Sequence, residues 1–176
     1  MKSIVLVIIV FASYLASAQS KTTESLQKQY DKSFSLFFYQ NTLRMINQSE
    51  DKAFDELIRD IEKMKFLLIE KGTTFTPASY KKLTQEYTAE AFENVMNSRY
   101  QGRNFDVYMK EKAGKTTGMV ILVNDSASLY VLDVVGSIPL NKVTTLYSTL
   151  DSSTDVGNRI KSFVDRNAKR KEDDKD

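Results

Sequence analysis

Two carboxylates fall inside segments that alternate like β-strands: Asp106 within Phe105-Asp106-Val107-Tyr108-Met109-Lys110, and Asp133 within Leu129 to Val135. Brought together and buried, such a pair can pass protons to and from a substrate or hold a divalent cation. Each also has a plainer reading. Asp106 shares a face with Tyr108 and Lys110, as on a partly solvated strand, whereas Asp133 alternates with Leu129, Val131 and Val135, so a cross-strand partner such as Lys or Tyr is expected for it. Glu86, Glu90 and Glu93 stand at i, i+4 and i+7 and read as the solvated face of one helix. Gly114-Lys115-Thr116 ends like a phosphate-binding loop, but Met109 occupies the place of its first Gly and the residues after Lys115 read as a strand, so a hairpin turn is expected there. No cofactor, metal or catalytic residue follows from these groups.

The zeros in the composition narrow the chemistry further. A chain of 176 residues without Cys, His or Trp has no disulfide, thiolate nucleophile, imidazole base, zinc finger or His-ligated haem. Carboxylate, Lys, Tyr, Ser and Thr remain. The nine Tyr and ten Phe can line an apolar cleft for a lipid, peptide or glycan, with Tyr108 and Tyr130 on strands as its first candidates. Core packing is the competing reading, because a chain lacking Trp fills its volume with Phe and Tyr.

The elements that must position these groups are read from periodicity. Residues 21–33 suggest a short helix, with Leu26, Tyr30 and Phe34 at four-residue spacing. Phe34 to Tyr39 reads as an aromatic strand, followed by one or two helical turns from Asn41 to Asn47. Phe54, Leu57, Ile58 and Ile61 predict an amphipathic helix over about 52–63. Lys65 to Glu70 reads as a strand closed by Lys71-Gly72. Thr76-Pro77 then caps the longest helix, whose Tyr80, Leu83, Tyr87, Ala91 and Val95 carry it to about Ser98. Beyond Gly102 the period changes to two, and turns at Ala113-Gly114 and Asn124-Asp125-Ser126 separate three strands in an antiparallel meander. Pro139 opens a last helix bearing Leu140, Val143, Tyr147 and Leu150. The expectation is an α+β single domain, a mixed sheet of about five strands in the order β-α-β-α-β-β-β-α, with helices packed mainly on one face.

The two ends read as something other than fold. Lys2, the apolar run Ile4 to Leu15 and Ala16-Ser17-Ala18 have the pattern of a secretory signal peptide cleaved after Ala18. The apolar run reaches roughly 18 Å as a helix, short of a hydrocarbon core of about 30 Å, so no transmembrane anchor is expected after cleavage. Residues 1–18 hold one charged side chain, Lys2, so their loss lowers the net charge from +2 to +1. That removes the electrostatic footprint of nucleic-acid binding. Residues 19–33 form a helical lead-in, 34–150 the α+β domain, and 151–176 a linker and charged tail.

Phe105 to Lys115 with its Lys-Glu-x-x-Gly-Lys turn, Met119 to Val123, and Leu132 to Val143 with its Gly-x-Ile-x-Leu step together resemble domain-of-unknown-function family 4252, small exported proteins of Gram-negative Bacteroidota. The likeness is strongest over 95–150 and fainter back to about 34. It implies a shared fold and a cell-envelope location, periplasmic or secreted, and carries over no activity. It also implies that Asp125-Ser126-Ala127 matches a short acceptor pattern for O-glycosylation at Ser126. The reading of function is a non-catalytic binding or assembly module with an envelope protein, lipid or glycan as partner. Its candidate face is Asp106, Tyr108, Lys110, Tyr130 and Asp133. A carboxylate-based or metal-dependent hydrolase and an apolar small-ligand carrier are the alternatives.

Overall fold

The structure, a computed structural model, describes residues 19–46 and 52–150. Its elements in chain order are α1 (Lys21–Gln29), β1 (Phe34–Tyr39), α2 (Gln40–Ile46), α3 (Lys52–Ile58), β2 (Ile61–Glu70), α4 (Pro77–Ala89), β3 (Glu93–Tyr100), β4 (Arg103–Lys112), β5 (Lys115–Asn124) and β6 (Ser128–Gly136). A 3-10 turn (Leu140–Lys142) and α5 (Val143–Leu150) follow. The chain is α+β, as its periodicity predicts. The expected leader and charged tail lie outside the described residues.

The sheet departs from expectation in two respects. It has six strands rather than about five, in the order β1-β2-β6-β5-β4-β3, and every neighbouring pair is antiparallel rather than mixed. The extra strand is β3, expected as the end of the long helix. Glu90 still donates its N–H to the Glu86 carbonyl, but Ala91 turns left-handed at φ 64° and Phe92 N–H returns to the Tyr87 carbonyl, closing α4. A mixed sheet is expected where crossovers tie the early strands, but the connection through α2 and α3 returns the chain to β2 as the antiparallel neighbour of β1, and α4 alone is a crossover. It carries the chain from β2 to the far edge, so β2 and β3 run in the same direction with three strands between them.

The helices also divide between the faces instead of gathering on one. Leu43 of α2, Phe54, Leu57 and Ile58 of α3, and Val143, Leu146 and Tyr147 of α5 pack with Phe105, Val107, Ile121, Leu132 and Val134 on one face. Leu26 of α1 and Leu83 and Tyr87 of α4 pack with Leu67, Val120, Leu122, Leu129 and Val131 on the other. Apolar residues on both sides of β5 and β6 demand this double cover, since either face left bare would expose a row of Val, Ile and Leu.

Local chemistry fixes the ends of the elements nearest the site. Gln101-Gly102 and Ala113-Gly114 have positive φ at both positions, the two-residue turn whose twist matches its flanking strands. Lys115 and Thr116 therefore begin β5, and the resemblance of Gly114-Lys115-Thr116 to a phosphate loop ends there. At the start of α4, Ser79 N–H donates to Thr76 Oγ1 at 3.2 Å and Thr76 N–H donates to Ser79 Oγ at 3.2 Å, with Pro77 in the first turn. Thr76→Ala removes half of this reciprocal cap and should cost about 1 kcal/mol. A thermal melt checks it: a drop of roughly 3 °C is expected, and no drop would mean that the cap is idle.

Candidate functional site

Asp133 is the most buried acid among the described residues, 1% exposed, on the face of β6 that α1 and α4 cover. The first turn of α1 sits on it. Ser20 N–H donates to Asp133 Oδ2 at 3.0 Å, and the Thr23 hydroxyl donates to the same carboxylate. Because the carboxylate only accepts, Tyr87 must donate its own hydroxyl to Thr23 Oγ1, 2.9 Å away. Glu90, the residue that closes α4, completes the group by accepting from Ser20 Oγ and Lys21 N–H at 3.0 Å each and from Thr22 N–H. Two carboxylates thus satisfy the orphan amides of one helix start.

The two acids titrate in opposite senses. Burial pushes Asp133 up to about 6, against which its hydrogen bonds and the nearby Lys65 ammonium act only in part. Lys65 faces it in the β2–β6 register and acts on it only through charge, whereas its direct hydrogen bonds come from α1 and not from a cross-strand Lys or Tyr. Burial also raises Glu90, but the hydrogen bonds from Thr22, Lys21 and Ser20 outweigh it and hold Glu90 below the usual carboxylate range. Burial pushes the Tyr87 hydroxyl well above its ordinary value, so it stays a donor. These hydrogen bonds all run between α1 and the α4 and β6 side chains beneath it, and they lock α1 onto the sheet.

Asp106 lies elsewhere on the same face, where α4 leaves the sheet uncovered. It accepts from the Tyr80 hydroxyl of α4 and from Asn97 Nδ2 of β3. Burial, together with that bond to Asp106, raises the Tyr80 phenol so that it remains protonated. Around this pair an open cleft of about 440 Å³ is walled by Ser98 and Arg99 of β3, Asn104 of β4 and Asn124 of β5. Asn124 faces Asn104 in the β4–β5 register, and its Oδ1 is buried without a hydrogen-bond partner among the described residues.

The structure does not bring the five candidate residues together. Asp106, Tyr108, Lys110 and Asp133 share the α1/α4 face, but Tyr108 is buried beneath Tyr87 at 5.9 Å between ring centroids, and Lys110 lies over the Phe92 ring at 5.3 Å. Tyr130 is on the opposite face, against Phe66 and Tyr147. Asp106 alone reaches an open cleft. The other cleft residues were invisible while 93–98 read as helix; once that segment is a strand, Asn97 and Arg99 fall on one face by simple alternation. Ser126 is exposed at the β5–β6 turn, where Asp125 Oδ1 accepts from the N–H groups of Ala127 and Ser128. Among the described residues no cluster of three acids stands close enough to hold a metal, and no helix is long and apolar enough to cross a membrane.

The profile of a domain of unknown function, DUF4252, matches residues 17–146. The chain belongs to the DUF4252 family. The match takes in α1 and the whole sheet, so both the Asp133 lock and the Asp106 cleft lie within the family domain. No curated protein and no solved structure matches the chain.

Proposed function

We propose that this DUF4252 protein is exported to the cell envelope and acts there as a non-catalytic binding module, through the cleft beside Asp106. The single observation behind this is the division of labour among its ionisable groups. The buried Asp133 and the half-buried Glu90 are consumed in holding α1, while the acid in the open cleft is flanked by two hydrogen-bond donors, Tyr80 and Asn97, and not by a second acid or an activated nucleophile. General acid–base work needs a proton acceptor left free to face a substrate. Asp106 is instead arranged as a fixed acceptor that orients two neighbours, which is how recognition sites are built. Export rests on the N-terminal pattern of Lys2, the apolar run Ile4 to Leu15 and Ala16-Ser17-Ala18, and the family match begins within that last triplet, at Ser17.

Sedimentation with isolated envelopes of the source cell tests the reading. The full chain should be recovered in the envelope pellet, and the double substitution Arg99→Ala and Asn104→Ala should reduce its recovery about tenfold at unchanged melting temperature. Both side chains are exposed, so the variant keeps the core intact. Equal recovery of the two proteins would defeat the proposal.

A further inference from the structure

The lining of the cleft discriminates among ligand chemistries. A phosphate or polyanion needs several converging cations, yet here one guanidinium, Arg99, is opposed by the Asp106 carboxylate. A divalent cation needs several oxygen ligands with net negative charge, and Asp106 is the sole acid on the wall. A lipid needs apolar walls, and Tyr80 supplies the one aromatic ring. What the wall offers is a mixture of donors and acceptors: the carboxamides of Asn97, Asn104 and Asn124, one cation and one anion whose charges cancel.

That inventory matches a ligand that is uncharged and carries adjacent hydroxyls, each of which both donates and accepts. Vicinal hydroxyls on a sugar ring meet a carboxylate, carboxamide or guanidinium in pairs, and 440 Å³ is room for one or two rings. Asn124 adds a second, independent sign. Its Oδ1 is a shielded acceptor without a partner among the described residues, a cost of about 1–3 kcal/mol, so this side chain on the cleft wall is left unsatisfied by the fold itself. Preorganisation is already in place, because Tyr80 and Asn97 fix the Asp106 carboxylate before any ligand arrives.

We infer that the Asp106 cleft binds a neutral saccharide, free or as part of an envelope glycan; this rests on the binding-module reading and names its ligand. Two measurements test it. In saturation-transfer NMR, the full chain should transfer magnetisation to N,N′-diacetylchitobiose or cellobiose. Arg99→Ala with Asn104→Ala should weaken that binding about tenfold. In the sedimentation assay, periodate oxidation of the envelopes, which cleaves vicinal diols, should abolish recovery, whereas trypsin shaving should leave it intact. Recovery that survives periodate and is lost on shaving, with no transfer to either disaccharide, overturns the saccharide and leaves the binding module standing with a protein partner. Transfer without sedimentation keeps the saccharide and removes the envelope as its source. Tighter binding of glucose 1-phosphate than of either disaccharide overturns the inference in favour of an anion site.

Discussion

The melting temperature should rise by roughly 3–5 °C as pH falls from 7.5 to 5, and Asp133→Asn should abolish most of that rise. Asp133 is raised from its ordinary 3.8 to about 6 by burial under α1. A raised folded value means that the protonated form fits the fold better than the ionised one. The stability this confers is fully present below 3.8 and is lost as pH climbs through 6. The full swing is about 3 kcal/mol, of which about half separates pH 7.5 from pH 5. Glu90 and Asp125 are held below their usual values, so their contributions are present above the ordinary carboxylate values and are lost as pH falls from there through the folded ones, which leaves the window from pH 7.5 to 5 to Asp133. Asp133→Asn keeps an acceptor for Ser20 N–H and places a donor near Thr23 Oγ1, an exchange without a buried charge. At pH 7.5 the variant should melt several degrees above the parent. A variant with the parent's slope, or one that melts lower throughout, would show that the charge of Asp133 carries no penalty in the fold.

How much of this fold could be read beforehand depended on where its signals were local. The β4–β5 and β5–β6 hairpins are legible because Gly114 and Asp125 announce their turns and the short apolar run Met119 to Val123 lies between them. β3 is not. Val95 continues the four-residue spacing of Tyr87 and Ala91, and the residue that ends α4 is Ala91 in a left-handed conformation, for which alanine gives no warning. Strand order was illegible for a different reason. Periodicity marks α4 as a crossover, but nothing along the chain tells that β6 rather than β3 will lie beside β2, a choice made by the apolar faces of β5 and β6, which need neighbours on both edges.

The same division applies to the sites. Asp133 stood out because a charge interrupts an apolar alternation, and the prediction of a paired acid holds. Its partner was sought on a neighbouring strand and lies instead on the α1 backbone, over a hundred residues away in sequence, since an amide N–H leaves no mark in composition. One trace did exist: Ser20 precedes the helical residues and its Oγ accepts from Thr23 N–H, as a cap does. Glu90 was read with Glu86 and Glu93 as one solvated stripe. The stripe is broken where α4 ends, leaving Glu86 in the helix, Glu90 at its closing residue against α1, and Glu93 on β3. The Asp106 cleft is legible only through Asp106, because one wall comes from the strand that the helical pattern conceals, and Tyr80, Asn104 and Asn124 are brought to it only by the packing of α4 and the pairing of β4 with β5.

Gly136→Ala should be the most damaging small substitution in the domain, costing at least about 3 kcal/mol. Gly136 ends β6 opposite the irregularity in β2, with φ +111°, a region that residues with a side chain rarely enter. A Cβ there would stand 2.0 Å from the Asp60 carbonyl oxygen and 3.1 Å from its carbon. Neither can move freely, because that oxygen accepts the Ser137 N–H at 3.0 Å and its residue leads directly into Ile61, fully buried in the core. Relieving the clash therefore means breaking the β2–β6 ladder, the pairing that joins β1 and β2 to the rest of the sheet. Gly72→Ala is the matched control. Its φ of +48° is also left-handed, but an added Cβ would meet nothing within 4 Å, so only the conformational cost of about 1 kcal/mol applies. Chemical denaturation of both variants separates steric conflict from backbone preference, and a Gly136→Ala midpoint no lower than that of Gly72→Ala would mean that the β2–β6 end yields more easily than its hydrogen bonds imply.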